Sequence, residues 1–425
     1  MHSLRLPRTV VWATIGNLLL CGSTFAAETE PTRTPRTDWT EGRLAALADQ
    51  IHDRHLTIDT HLDVPIALRR PGFDISEEHS WHDHASQVDF PRMRKGGLDG
   101  GFFVIFVGQG ELTPAGRSGA IESGFSIANL IHQTVAQHAD LAAIATTSNE
   151  AEAIRATGRR VVFMGIENGY TIGRNIDLLQ DYYDLGVRYF GITHTRNNDL
   201  ADSSTDPAGP LHFGLSSLGL AAVEQCNRLG IMIDISHAAD KTVWDILEHS
   251  QTPVLASHSG CYACHPHPRN LNDALLKEIA RQGGVVQMNM FSAYMMNVPP
   301  DEARTAAMRA WYARYRSGGK LTEAEQLAGV AVLVELNRTY PKPLSTVAAV
   351  VDHIDHMVDV MGIDHVGISG DFDGGGGVAG AMDVGQMKSI TIEMLRRGYT
   401  EDDLRKFWGA NVMRVLDACQ TFANR

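Results

Sequence analysis

Residues 231–259 read IMIDISHAADKTVWDILEHSQTPVLASHS. A short apolar run, Ile231–Ser236, ends on His237; a helical pattern follows over Lys241–His249; a second apolar run, Pro253–Ser257, ends on His258. Runs of this kind, without polar alternation, suit strands buried on both faces, and the helix between them returns the chain for parallel pairing. The unit recurs in both directions. Further runs lie at Leu56–Thr60, Gly101–Val107, Val161–Ile166, Tyr189–Thr193, Val285–Asn289 and His365–Ser369. Helical patterns separate them at Ile121–His138, Leu178–Leu185, Leu218–Leu229, Leu271–Gln282 and Ser345–Met361. Strand alternating with helix eight times predicts an α/β fold, a (β/α)8 TIM-type barrel.

The rhythm breaks once, after the seventh run. Between Phe291 and about Ser345 stand two helical stretches, ARTAAMRAWYARYR and TEAEQLAGVAVLVELNRTY. Because βα loops open on the catalytic face of a barrel, this insertion is a candidate lid or homodimer surface.

At the other end of the chain, Arg5 and Arg8 precede an apolar run, Val10–Leu20, and small residues up to Ala27. That pattern is a signal peptide over residues 1–27, which predicts an exported protein, periplasmic or secreted. Cys21 raises lipid attachment, but bulky Leu20 disfavours it. Residues 28–40 are polar and Pro/Thr-rich and read as a disordered leader or surface strap; the barrel domain occupies 41–425. No later segment is long and uncharged enough for a membrane span. Loss of Arg5 and Arg8 takes the formal charge from −13 to about −15. An acidic chain without a basic cluster argues against nucleic acid and anionic membranes as partners. Of the remaining cysteines, Cys261 and Cys264 form a lone C-x-x-C; with no second pair, a disulfide or two packed thiols is favoured over a four-cysteine zinc site.

Ionisable residues stand where the apolar runs end, the position at which a barrel keeps its active site. His61 and Asp63 follow the first run and, two apart in an extended segment, project the same way. Glu167 follows the third run among glycines, His237 the fifth and His258 the sixth. Taken singly, each reads as a loop charge, an N-cap or a hydrogen-bonded histidine. Together they place three imidazoles and two carboxylates at the mouth of one barrel, a set suited to zinc, with manganese or cobalt as alternatives. Five ligands exceed the three a single catalytic zinc takes, so two metals sharing one carboxylate are expected.

In order from Ile58 to Asn411, the motifs His-x-Asp, Gly-Ile-Glu-x-Gly, Thr-His-Thr-x-Asn, Asp-Ile-Ser-His, Ser-His-Ser and Gly-Asp-Phe-Asp-Gly resemble those of the membrane (renal) dipeptidase family, here an exported bacterial member. The resemblance implies two Zn2+ ions per chain, one held by His61, Asp63 and Glu167, the other by Glu167, His237 and His258, with Glu167 as bridge. It further implies that His194 steadies the substrate carbonyl, that Asp371 carries the proton, and that Arg269 holds the terminal carboxylate. Asp373 is the residue most easily confused with Asp371. The implied reaction is hydrolysis of a dipeptide by a metal-bridging hydroxide, with a D-residue tolerated at the C-terminal position. Small departures, His-Leu-Asp for His-Asn-Asp, Asn168 after Glu167, and Cys261, remove no ligand but bear on the side-chain pockets. The rival readings are another amidohydrolase-type enzyme (lactonase, phosphotriesterase or deaminase) and a non-catalytic periplasmic zinc-binding protein. Phosphotriesterase-like enzymes bridge their metals with a modified lysine, and these strand ends offer Glu167 and no such lysine.

Overall fold

The computed structural model describes residues 33–315 and 321–425. The expected signal peptide, Cys21 and residues 28–32 of the leader lie outside them.

Ten strands form: β1 (Ile58–Leu62), β2 (Gly100–Phe106), β3 (Ala142–Ile144), β4 (Arg160–Glu167), β5 (Val187–Gly191), β6 (Met232–Asp234), β7 (Leu255–Cys261), β8 (Asn270–Leu271), β9 (Val285–Asn289) and β10 (Val366–Ser369). Eight of them, in the order β1-β2-β4-β5-β6-β7-β9-β10, pair in parallel around a barrel. The ring closes between its first and last staves, where Leu62 bridges Phe372 and the Asp63 N–H donates to the Phe372 carbonyl at 2.9 Å. These eight are the eight runs of the sequence. Their residues are buried on both faces because side chains fill the interior and helices cover the exterior.

Two short strands gave no sequence signal, since two or three residues cannot establish a period. β3 pairs with Arg160–Val162, the part of β4 that lies before β5 joins it at Met164. β8 pairs with Gly260 and Cys261 at the outer end of β7. Residues 33–40 correct the expectation of a disordered leader. The Arg36 guanidinium donates to the Tyr399 carbonyl at 2.8 Å, Arg33 pairs with Asp359 at 2.7 Å, and Trp39 packs on the core. Charged and aromatic anchors override the Pro/Thr composition, and this part is a strap.

After β9 the chain leaves the barrel as two helices, Glu302–Tyr315 and Glu323–Thr339. The second starts at a capping box in which Thr322 and Glu325 satisfy each other's backbone N–H. The pair is locked where the Trp311 Nε1–H donates to the Gly329 carbonyl at 2.7 Å. Gly329 is needed there, because a Cβ would meet the Tyr315 ring at 2.8 Å. No described helix is long and apolar enough to cross a membrane.

Candidate active site

The five expected ligands, with His194 and Asp371, lie in the C-terminal parts of barrel strands or just beyond them, and Arg269 stands further out in the loop before β8. His61 is in β1 and Asp63 follows it; Glu167 is the last residue of β4; His258 lies within β7. His194, His237 and Asp371 sit in the first turns after β5, β6 and β10. The backbone is bent to present them. Six described non-glycine residues have positive φ, and four of them, Asn168, His237, Asp371 and Asp373, lie at this mouth. Such conformations cost about 1–3 kcal/mol each and persist only where surrounding packing enforces them.

Glu167 is the hub. Its Oε1 faces His237 Nε2 at 3.0 Å, His258 Nε2 at 3.4 Å and His194 Nε2 at 3.9 Å. Its Oε2 faces the other way, toward His61 Nε2 at 3.7 Å, and that nitrogen lies 3.6 Å from Asp63 Oδ2. Asp371 completes a group with His61 and Asp63 whose ligand atoms lie within 4.8 Å of one another.

A hydrogen-bond relay fixes which nitrogen of His258 carries the proton. The Ser257 hydroxyl donates to Asp234 Oδ2 at 2.6 Å, so toward His258 Nδ1, 2.8 Å away, its oxygen accepts. Nδ1 therefore bears the hydrogen and Nε2 offers a lone pair to the Glu167 oxygen and to His237 Nε2, 2.9 Å off. On the other side, Tyr189 holds His61 through its hydroxyl at 3.2 Å from Nδ1. Buried lone pairs converging on a carboxylate repel unless a cation lies among them. Asp63 Oδ1 and His237 Nδ1 are also buried without a partner. This donor set, nitrogen and carboxylate oxygen with outer partners orienting the rings, fits metal ions.

The electrostatics agree. Burial pushes the His237 and His258 pKa values well below the usual histidine range, with Arg269 and His61 respectively adding repulsion, so both rings stay neutral. Burial works against charge on Glu167 and His61 as well. There the surrounding opposite charges win: His194 and His61 hold Glu167 far below the ordinary carboxylate range, and Glu167 and Asp63 hold His61 well above its own.

The two aspartates after β10 differ in their contacts. Asp371 Oδ2 accepts from Asn289 Nδ2 at 3.1 Å, and burial raises its pKa to about 7. Asp373 is committed to Gln87, accepting its N–H at 2.7 Å and donating its own N–H to Oε1 at 2.8 Å. Arg269, just before β8, is buried; its Nη2 donates to the His258 carbonyl at 3.0 Å, its guanidinium lies 5.4 Å from the Tyr294 ring centroid, and its Nε has no partner. Above these groups opens a cavity of ≈ 440 Å³ lined by Asp63, Glu167, His194, His237, His258 and Asp371, with Arg304, Met308, Trp311 and Tyr312 of the helical insertion as its outer wall.

Sequence reasoning passed over Tyr189, Asp234, Ser257 and Asn289. Each is a polar residue within an apolar run or at one of its ends, a signal that marks a buried partner for a neighbouring ligand. Gln87, far away in the chain, carried none.

A parallel (β/α)8 barrel whose mouth gathers buried imidazoles and carboxylates around one glutamate defines a metal-dependent hydrolase of the barrel class. The chain belongs to the membrane dipeptidase family, peptidase family M19, whose model matches residues 45–425. It is 30% identical over 376 residues to the dipeptidase aclJ of Aspergillus oryzae, covering 87% of this chain and 79% of that one. To the dipeptidase tcpJ of Claviceps purpurea it is 29% identical, covering 79% and 69%. Among solved structures, the probable dipeptidase PvdM of Pseudomonas aeruginosa superposes with a TM-score of 0.76 at 28% identity, covering 90% of this chain and 99% of that one. A Rhodobacter sphaeroides metallopeptidase, liganded with a phosphinate mimic of L-Ala-D-Ala, shares the fold with a TM-score of 0.68 at 24% identity, covering 86% and 99%. The protein is thus a dipeptidase of this metallopeptidase family.

Proposed function

We propose that the protein hydrolyses dipeptides with two zinc ions, one held by His61, Asp63 and Glu167 and the other by Glu167, His237 and His258. The observation that carries this reading is the division of Glu167, whose two oxygens face two different imidazole sets. Bound there, the ions supply Lewis acidity and bring water toward a pKa of about 7. The chain's own groups do the rest. His194, whose pKa burial lowers against the pull of Glu167, directs its partly exposed ring into the cavity and donates to the scissile carbonyl oxygen. Asp371, oriented by Asn289, takes a proton from the attacking water and delivers it to the leaving amine. Arg269 supplies the positive charge for the substrate's terminal carboxylate, and the helical insertion caps the cavity and excludes longer peptides. By the family resemblance, a D-residue is tolerated at the second position.

The test is a screen of the metal-loaded protein on L,L and L,D dipeptides, matched tripeptides and dipeptide amides. Cleavage of dipeptides alone supports the reading; equal cleavage of tripeptides overturns the capped cavity. Asp371→Asn lowers kcat about 10²–10⁴-fold with metal retained, and Asp373→Asn lowers it less. Equal loss in both removes the proton-carrying role of Asp371. The same reading takes residues 1–27 as an export signal, so the mature form begins near Glu28 by mass spectrometry; an acylated Cys21 overturns that.

A further inference from the structure

The C-x-x-C pair, unused by the dipeptidase chemistry, meets a histidine from a distant part of the chain. Cys261, the last residue of β7, is fully buried; Cys264 lies exposed in the following turn; His353, buried, comes from the helix Val347–Met361. Both cysteines are free thiols. One ligand atom from each of the three residues lies within 4.8 Å of the other two.

The spacing is that of ligands on one ion. With metal–sulfur and metal–nitrogen bonds of ~2.3 and ~2.05 Å at a tetrahedral angle, neighbouring sulfur and nitrogen ligands stand about 3.6 Å apart. Cys261 Sγ and His353 Nδ1 are 3.4 Å apart. The nitrogen that faces the cysteine is Nδ1, whose lone pair accepts the Cys261 backbone N–H at 3.3 Å; a bound ion would take over that lone pair in place of this long hydrogen bond. Burial depresses the pKa of this histidine to about 4, which keeps it neutral. Gly260 permits the approach, since a Cβ there would stand 3.2 Å from His353 Nδ1 and 2.5 Å from Asn270 Oδ1. A hydrogen bond with Cys261 holds the Cys264 thiol below its ordinary pKa, with His356 acting the same way and Asp352 and Asp273 opposing.

We infer that Cys261, Cys264 and His353 form a binding site, separate from the mouth, for one thiophilic divalent cation of the zinc type, its fourth position left to water. Binding makes two metal–sulfur bonds and one metal–nitrogen bond and releases two thiol protons to solvent, with nothing oxidised or reduced. The ion ties the outer end of β7, three residues beyond His258, to the Val347–Met361 helix, and so braces the segment leading to Arg269.

The mouth offers only nitrogen and oxygen, so thiolate-to-cobalt charge-transfer absorption reads this site alone. Full-length protein, reduced and equilibrated with Co2+, should show that band and bind one more ion per chain than Cys264→Ser, in which the band is absent. Cys264 is exposed, so the substitution should leave the melting temperature in chelator unchanged. The inference is overturned if the reduced wild-type protein shows no band at saturating Co2+, if the band survives in Cys264→Ser, or if metal content is the same in both. A wild-type mass two hydrogens light after reduction, from a Cys261–Cys264 disulfide, also overturns it.

Discussion

At the floor of the barrel Phe102 and Phe163 stack with centroids 4.8 Å apart, and they share one buried apolar cluster with Ile58, Met232, Leu255, Val285 and Leu416. A few residues further along the same strands, the mouth buries three carboxylates and three imidazoles and bends its backbone into left-handed conformations to do so. The floor obtains stability from area removed from water, whereas the mouth keeps charges and lone pairs in a buried space that only a cation makes favourable. Tyr189 joins the two: its ring packs in the floor cluster against Phe102, and its hydroxyl reaches His61. Gly165 makes room for it, since a Cβ there would stand 2.2 Å from the ring. Stability and chemistry therefore respond to different substitutions along one strand.

The sharpest test of that division uses two positions on β4, Phe163 and Glu167. Glu167→Gln removes the charge that both proposed ion positions at the mouth share, so activity falls to background and elemental analysis finds at least one metal per chain fewer than in the wild type. Phe163→Ala, by contrast, costs about 3–5 kcal/mol in denaturant unfolding and leaves the metal content of the folded fraction intact. If Phe163→Ala lowers that metal content, or Glu167→Gln retains all of it, floor and mouth are not separable.

Within the mouth, Arg269 distinguishes reading a substrate from holding a loop. Arg269→Met removes charge-assisted hydrogen bonds worth roughly 1.5–3 kcal/mol, or about ten- to over a hundredfold in kcat/KM for a dipeptide. A dipeptide amide, lacking the carboxylate, loses little further. Kinetics of both substrates with both proteins form a double-mutant cycle with large coupling. Equal slowing of acid and amide would assign Arg269 to its contacts with the His258 carbonyl and Tyr294.

The floor could be read from sequence because its rule is local: unbroken apolar runs of strand length, repeated at the βα period. That is why all eight staves were found within a few residues of their ends. The mouth was readable only in its outermost layer, where His61, Asp63, Glu167, His237 and His258 terminate runs in register. The layer behind them is set by pairings between strands far apart in sequence, such as Tyr189 with His61 and Asn289 with Asp371. The insertion's place over the cavity depends on packing of Trp311 and Gly329, which periodicity does not encode.

The smallest effect lies away from the mouth. His52, on the helix Glu41–Arg54 that leads into β1, is buried between Gly97 and the Thr391 hydroxyl. Trp408 Nε1–H donates to Thr391 Oγ1 at 2.8 Å, so the Thr391 proton goes to His52 Nε2, 2.7 Å away, and His52 Nδ1–H donates to the Gly97 carbonyl at 2.9 Å. Every hydrogen is assigned with the ring neutral. A proton on Nε2 would displace the one Thr391 donates, and burial together with nearby Lys388 lowers the His52 pKa to about 4. A histidine depressed in the folded state stabilises the protein fully above its unfolded pKa of ~6.5. That contribution is lost as pH falls from there toward 4, at about 1.4 kcal/mol per unit. His52→Gln, which lacks the titrating ring, should be less stable than wild type at pH 7 and should close that gap by pH 5. Chemical denaturation of both proteins across this range measures the gap. A gap that stays constant with pH would mean that His52 contributes packing alone, and that the acid sensitivity of the fold resides with the histidines at the mouth.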